Sequence, residues 1–218
     1  HMNGVAVDLS GDVELVIKKQ AVFDLNSDSY LRELGELVEK IKEEAGIGEK
    51  ELLGVGISVP GLISDDGETV IYGRTLNFTG RSKEEICKYI PYPCRLVHDS
   101  YAAGYIETWK DPDVRNAFYI SLSNSVGGSF IVDHEIYAGD TQKGGEIGHM
   151  AVVPENGELC YCGKYGCFDT VCRAGKLDEY TNGNLEEFFH RMGGGDERGV
   201  TLWDVYLDHL ASAIYNIR

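Results

Sequence analysis

Apolar and polar residues repeat with two periods in the first half of the chain, and each period predicts one kind of element. Two apolar-rich runs, separated by a polar turn that contains Gly11, predict a β-hairpin. Further on, leucine, valine and isoleucine recur at helical spacing behind the candidate N-caps Asn26, Ser27 and Asp28, and Gly46 ends the pattern. The predicted elements are strands at 4–8, 13–18, 52–59 and 94–98 and helices at 31–45 and 83–89.

The second half combines the same two periods with a long irregular stretch, residues 138–166. Two strands are predicted to pair around a turn at Gly127-Gly128. The predicted elements are helices at 100–110, 185–192 and 202–217 and strands at 118–122 and 129–133. Because strands and helices mix along the chain, the sequence predicts an α/β layer structure. The length allows one large domain or two small lobes, and two lobes would comprise residues 3–98 and 99–218.

Composition and charge exclude several classes of function for this segment. A formal net charge of −16 opposes contact with a nucleic-acid backbone, which requires clustered Lys and Arg. No run of eighteen apolar residues is present, so no membrane span is predicted. No charged and then apolar leader opens the chain, and we therefore expect a cytoplasmic protein.

Four of the six cysteines crowd into residues 160–172. His149, Cys160, Cys162 and Cys167 supply one imidazole and three thiolates, a complete tetrahedral set for a structural zinc ion. Glycines between them would let the backbone fold tightly around one point. Free buried thiols or disulfides are the alternatives. Cys172 falls outside this pattern, and Cys87 and Cys94 are interpreted as ordinary buried thiols.

The motif that leads into this cluster strengthens the interpretation. Gly-Glu-Ile-Gly-His-Met at 145–150, followed by Cys-x-Cys-Gly-x-x-Gly-Cys at 160–167, resembles the signature of the ROK family of repressors and sugar kinases. The resemblance implies an actin-like, ribonuclease-H-like fold of two lobes, with zinc bound by the histidine and the three cysteines. It also implies a homo-oligomer. The chain resembles the family from its second strand onward, so we expect the first strand and a C-terminal part to be missing.

A carboxylate after a predicted strand is the first candidate for a ligand contact. Asp99 stands between a strand and a helix, where it could face a cleft or simply cap the helix. In ROK kinases the matching Asp is the base that accepts the proton of the attacking sugar hydroxyl. His98 precedes it, where the family usually has Asn.

The resemblance implies further sugar contacts. Glu146 matches a family sugar-hydroxyl acceptor, although a loop Glu is often only solvated, and His149 could contact the sugar while bound to zinc. Asp169 stands where the family usually has Glu, and Asn77, in the run Thr75-Leu76-Asn77-Phe78, resembles another contact. Carboxylates and amides in one cleft suit a neutral polyol, because its hydroxyls would form hydrogen bonds with them. Without such a partner, each buried polar group costs free energy.

The phosphate loops of a kinase are missing or altered. The second would fall at 121–129, where Ser123-Asn124-Ser125 replaces the Gly-Thr-Gly of family kinases and adds Cβ atoms where phosphate would lie. ATP and Mg²⁺ are therefore not expected. The sequence predicts the sensing domain of a transcriptional repressor that takes a sugar or sugar phosphate and contacts DNA through another segment. The alternatives are a fragment of an ATP-dependent sugar kinase, with Asp99 as base, and a zinc-stabilised scaffold without ligand.

Overall fold

A computed structural model describes residues 2–22, 24, 27–73 and 77–218. The chain divides into two compact units, His1–Ala102 and Ala103–Arg218. Within the described part, no helix combines the length and the apolar character that crossing a bilayer requires.

The first unit contains two separate pairs of longer strands, and the chain order follows the predicted β-β-α-β pattern. β1 pairs antiparallel with β2, and β3 pairs parallel with β6 in register from Val55↔Cys94 to Val59↔His98. Its elements are β1 (Met2–Val7), β2 (Val13–Lys19), α1 (Asp28–Glu44), β3 (Val55–Val59), β4 (Leu62–Ile63), β5 (Val70–Tyr72), α2 (Lys83–Ile86) and β6 (Cys94–His98).

The first long helix begins at one of the three residues predicted to cap it. The side chain of Ser27 accepts a hydrogen bond from the Ser29 backbone N–H, which pairs one of the free donors of the first turn. Asn26, another candidate cap, lies outside the described residues. The strand predicted over 52–59 is shorter than expected, because Leu53 is exposed and pairing starts only at Val55.

A cavity of about 650 Å³ lies inside the first unit. Residues of both β1 and β3 line it, together with the apolar face of α1. In the described part of the chain, β1 has no strand partner except β2, and β3 none except β6. The two pairs of strands are therefore not joined into one sheet across this cavity.

The second unit packs three antiparallel strands against helices. The strand order is β7-β8-β9. Its elements are the end of α3 (Asp99–Lys110), β7 (Ala117–Leu122), β8 (Val126–Val132), β9 (Glu135–Tyr137), α4 (Phe168–Cys172), α5 (Gly175–Asp178), α6 (Leu185–Gly193) and α7 (Glu197–Ile217). Single 3-10 turns occur at Ile147–His149 and Glu179–Thr181.

The turn between β7 and β8 is not where the glycines predict it. Gly127 and Gly128 lie inside β8, and the turn consists of Ser123, Asn124 and Ser125. Gly128 is needed for packing: a Cβ there would come within 2.7 Å of the Tyr119 carbonyl oxygen and of the Ile147 side chain. Gly128 thus marks a close approach of the neighbouring chain and not a reversal of direction.

The core of the second unit forms around the short helix α4, which the sequence pattern did not predict. Phe168 and Cys172 are fully buried, and they pack with Phe188 of α6 and Tyr206 of α7. α7 begins five residues before its predicted start, because the Asp196 carboxylate accepts hydrogen bonds from the backbone N–H groups of residues 198 and 199.

Replacing Tyr206 by phenylalanine should destabilise this core by about 1–2 kcal/mol. The buried Tyr206 hydroxyl donates to the Cys172 carbonyl oxygen over 2.9 Å, and its loss leaves that acceptor unpaired. The measurement is urea unfolding of both proteins. Tyr215→Phe is the matched control, because Tyr215 is 79% exposed and its variant should unfold like the wild type. Equal stability of all three proteins would contradict the prediction.

Candidate functional site

The ligand atoms of His149, Cys160, Cys162 and Cys167 meet at one point of the second unit. All four lie within 4.8 Å of one another. The Cys160 sulfur is 3.5 Å from His149 Nδ1, and the Cys162 and Cys167 sulfurs are 3.6 Å apart. These are the four residues that the sequence predicts as metal ligands.

Two of the separations between the ligand atoms fit a tetrahedral zinc ion. With Zn–S bonds of about 2.3 Å and Zn–N bonds of about 2.0–2.1 Å, tetrahedral angles place two sulfurs about 3.8 Å apart and a sulfur and a nitrogen about 3.6 Å apart. The two observed separations are within about 0.2 Å of these values. Three sulfurs and one imidazole nitrogen leave no open position, which is the pattern of a structural and not a catalytic zinc site.

A tight loop brings the cysteines together. Cys160 donates its N–H to the Lys164 carbonyl and accepts from the Gly163 N–H, and an isolated bridge joins Leu159 to Tyr165. Gly163 and Gly166 have φ angles of +91° and +64°, which residues with a Cβ rarely adopt. The loop therefore depends on glycine at both positions to turn Cys160, Cys162 and Cys167 toward one point.

The two nitrogens of His149 face different partners. Nδ1 lies at the sulfur cluster, whereas Nε2 is 3.9 Å from the Glu146 carboxylate. The ring also contacts the edge of Tyr161, with 4.9 Å between centroids. Since the two nitrogens point apart, the same imidazole can ligate a metal through Nδ1 and present Nε2–H to Glu146 or to a bound hydroxyl.

Burial changes the ionisation of the ligands. It raises the pKa of the Cys167 thiol to about 12 and lowers the pKa of His149. A metal ion binds the thiolate and the neutral imidazole. The lowered pKa of His149 favours its binding form, while the thiol of Cys167 must lose its proton when the metal binds. Metal binding at neutral pH should thus release protons.

Asp169, a predicted sugar contact, makes a different contact in this structure. Its residue is only 6% exposed, and Oδ1 accepts a hydrogen bond of 2.7 Å from the backbone N–H of Val126. Val126 is the first residue of β8, directly after the turn 123–125. Sequence reasoning did not predict this contact, because Asp169 and Val126 are 43 positions apart and share no motif.

Three predicted contacts belong to the first unit. Asp99 is the first residue of α3 and not a cap before it; its side chain is 49% exposed, and Oδ1 accepts from the Ser100 N–H over 2.7 Å. His98 lies 3.6 Å from that carboxylate and stacks edge-on against Tyr101, and burial lowers its pKa. Asn77 is exposed with φ +52°, while Thr75 and Leu76 of its motif lie outside the described residues.

Lys164 is a further residue of the metal loop that the sequence pattern did not single out. Its ammonium group donates a 2.7 Å hydrogen bond to the backbone carbonyl of His149. The sequence gives one signal for a role of Lys164, namely its position between the candidate ligands Cys162 and Cys167. The contact ties the cysteine loop to the histidine that completes the ligand set.

A mixed α/β fold with a Cys₃His cluster next to a Gly-Glu-Ile-Gly-His segment defines a narrow class of protein. The model of the ROK family matches residues 4–218. The chain therefore belongs to the ROK family. The predicted resemblance is confirmed, and so is the predicted actin-like ATPase fold, which the solved structures of family members share.

The relatives include both functional branches of the family. N-acetylmannosamine kinase of Vibrio vulnificus is 31% identical over 129 residues, 57% of this chain and 44% of the relative. The xylose repressor of Caldicellulosiruptor bescii is 27% identical over 161 residues, 72% of this chain and 40% of the relative. The structure of a glucokinase from Streptomyces griseus, in complex with glucose and AMPPNP, matches with a TM-score of 0.76 at 18% identity, over 98% of this chain and 74% of that one. The chain spans less than half the length of the Vibrio kinase and of the Caldicellulosiruptor repressor.

Proposed function

We propose that this chain is the sugar-sensing domain of a cytoplasmic ROK-type transcriptional repressor, with a structural zinc ion bound by His149, Cys160, Cys162 and Cys167. The turn 123–125 is the observation that favours a repressor over a kinase. It stands at the position of a phosphate loop in kinases of the family, and its sequence differs from theirs. DNA would be contacted by a different segment of the repressor, because a segment with a net charge of −16 repels phosphate backbones.

The hydrogen bonds of the turn oppose phosphate binding. Phosphate loops offer free backbone N–H groups to the ligand. Here the Ser123 N–H donates to the Ser125 carbonyl, and the Val126 N–H donates to the Asp169 carboxylate. Two donors are thus occupied within the protein, and the acceptor of one is a carboxylate, a group that repels phosphate.

The polar groups beside the metal cluster support a sugar ligand. Glu146 is partly exposed beside His149 Nε2, so a carboxylate and an imidazole lie next to each other on one loop, as groups that contact sugar hydroxyls would. Asn77, His98 and Asp99 of the first unit are proposed as further contacts. Zinc would hold the loop in place without taking part in any chemistry, and sugar binding would act by favouring one of two arrangements of the repressor. We also propose that the full-length protein is a homo-oligomer.

An ATP-dependent sugar kinase is the second candidate function, since N-acetylmannosamine kinase and glucokinase are among the relatives. In that case Asp99 would be the base that accepts the proton of the attacking hydroxyl. The full-length protein should be tested with ATP and a panel of glucose, xylose and N-acetylmannosamine, and separately for operator DNA released by the same sugars. Turnover of ATP with a sugar would refute the repressor proposal; sugar-dependent release of DNA would support it.

Glu146→Gln should weaken sugar binding to the full-length protein at least about tenfold. A hydrogen bond to a charged acceptor contributes about 1.5–3 kcal/mol, and an amide gives up that charge. Isothermal calorimetry against the same panel measures the effect. Glu135→Gln, an exposed glutamate of β9, is the matched control. If both variants bind the sugar with equal affinity, Glu146 is not a sugar contact. If the wild-type protein gives no heat of binding with any sugar, a zinc-stabilised scaffold without ligand is favoured.

A further inference from the structure

We propose that α4 couples the metal cluster to the turn 123–125, with Asp169 as the positioning residue that holds the turn, so that loss of the metal frees the backbone of the turn. The proposal rests on the zinc site of the proposed function and is independent of the sugar and of the repressor assignment.

The first link joins the cluster to α4. Cys167, a ligand, directly precedes the helix, and it forms a bridge with Ala151 on the other side of the loop. The Phe168 N–H donates to the Met150 carbonyl over 2.8 Å. A change in the position of Cys167 must therefore move the first residues of α4.

The helix itself is largely buried and hydrogen-bonded at both ends, so it can transmit such a movement. Phe168 and Cys172 are fully buried. The Tyr206 hydroxyl donates to the Cys172 carbonyl, and the Thr170 hydroxyl donates to the Cys167 carbonyl. Because close-packed interiors pass on displacements and do not absorb them, α4 should respond as a unit.

The second link joins α4 and the residues after it to both ends of the turn. Asp169 Oδ1 accepts from the Val126 N–H at 2.7 Å, and the Ala174 N–H donates to the Ser123 carbonyl at 2.7 Å. Only two residue steps separate the ligand Cys167 from Asp169. The metal cluster and the turn are thereby connected through one short buried segment.

This contact gives Asp169 a role that the sequence did not predict, and its direct contact with a sugar stays a prediction. With its Oδ1 bonded to a backbone amide in a buried position, Asp169 acts through the turn. Asn at this position keeps an Oδ1 acceptor of the same length, whereas Ala removes it. The pair Asp169→Asn and Asp169→Ala therefore separates the hydrogen bond from the charge.

The exchange rate of the Val126 amide hydrogen, monitored by NMR on the zinc-loaded chain, reports how often the hydrogen bond that holds the turn opens. Asp169→Ala should accelerate this exchange about tenfold, the effect of losing roughly 1.4 kcal/mol. Asp169→Asn should restore slow exchange. Two variants serve as controls: Asp208→Ala changes an exposed residue of α7, and Phe188→Leu destabilises the core. In both, the ratio of the exchange rates of the Val126 and Phe130 amides, which belong to the same strand, should equal that of wild type.

Coupling is reciprocal, so loss of the Asp169 hydrogen bond must also alter metal affinity. In a competition assay with a chromophoric chelator, Asp169→Ala should bind zinc more weakly than wild type. The factor should equal the ratio of the acceleration of Val126 exchange by this substitution in the zinc-loaded protein to its acceleration in the zinc-free protein. Asp169→Asn should bind zinc like wild type. Unchanged zinc affinity in Asp169→Ala, or unchanged Val126 exchange after zinc removal, overturns the coupling. Absence of stoichiometric zinc from wild type instead refutes the proposed metal site itself.

Discussion

Cys167→Ser is expected to remove zinc from the protein and to lower the free energy of unfolding of the second unit by roughly 3–5 kcal/mol. Cys167 is fully buried, is one of the four proposed ligands and directly precedes the helix at the centre of the core. A hydroxyl is a poor substitute for a thiolate on zinc, and the remaining ligands lose the ion that holds them together. Thermal unfolding and metal content by mass spectrometry measure the two effects.

Cys87→Ser is the control for this prediction, since Cys87 is a free thiol of the first unit that lies outside the cluster. Its zinc content should equal that of wild type. Treatment of wild type with a strong chelator should reproduce the loss of stability seen in Cys167→Ser. If Cys167→Ser keeps one zinc per chain, the predicted ligand set is wrong.

Gly166→Ala is expected to destabilise the second unit by about 4 kcal/mol or more, an exceptional cost for one methyl group. Gly166 has a φ of +64°, and a Cβ there would lie 1.6 Å from the Val153 carbonyl oxygen. That oxygen belongs to the backbone, which cannot move aside as a side chain can. The Gly166 carbonyl also accepts the N–H groups of Val152 and Val153, so any relief by backbone movement breaks these bonds.

Gly163→Ala separates backbone strain from the clash. Gly163 lies in the same loop with a φ of +91°, but a Cβ there would meet no atom within 4 Å. We expect this variant to lose only the strain energy, about 1–2 kcal/mol, and to retain zinc. Urea unfolding and metal content of the two variants test the difference. Equal destabilisation would show that φ alone, and not the contact with Val153, requires glycine at 166.

Short-range features of the sequence predicted much of the molecule. The hairpin β1–β2, the helix α1 and the strand β6 lie close to their predicted positions, because a hairpin turn, a cap and an apolar period act over a few residues. The four candidate metal ligands could be predicted in the same way. His149 and the three cysteines lie within nineteen positions, and the chemistry of zinc restricts the choice of residues.

Errors arose where a distant contact decides the local structure. Gly127-Gly128 has the composition of a turn, yet both residues lie inside β8, where Ile147 and the Tyr119 carbonyl occupy the space that a Cβ of Gly128 would need. The short helix α4 has too few residues to show a period. Its residues are helical in a buried environment built by α6 and α7, which the local sequence does not contain.

The sequence by itself determined the family, the α/β fold and the four candidate metal ligands, because each depends on residue types at fixed short spacing. Only the tertiary structure decided what surrounds them. It placed the Nε2 atom of His149 beside Glu146 and directed the Asp169 carboxylate to the Val126 N–H. Hydrogen bonds between residues 43 positions apart follow from the packing of α4 against β8, and no local pattern encodes that packing. The metal cluster that the sequence identifies thus acquires its connection to the turn 123–125 only in the folded protein.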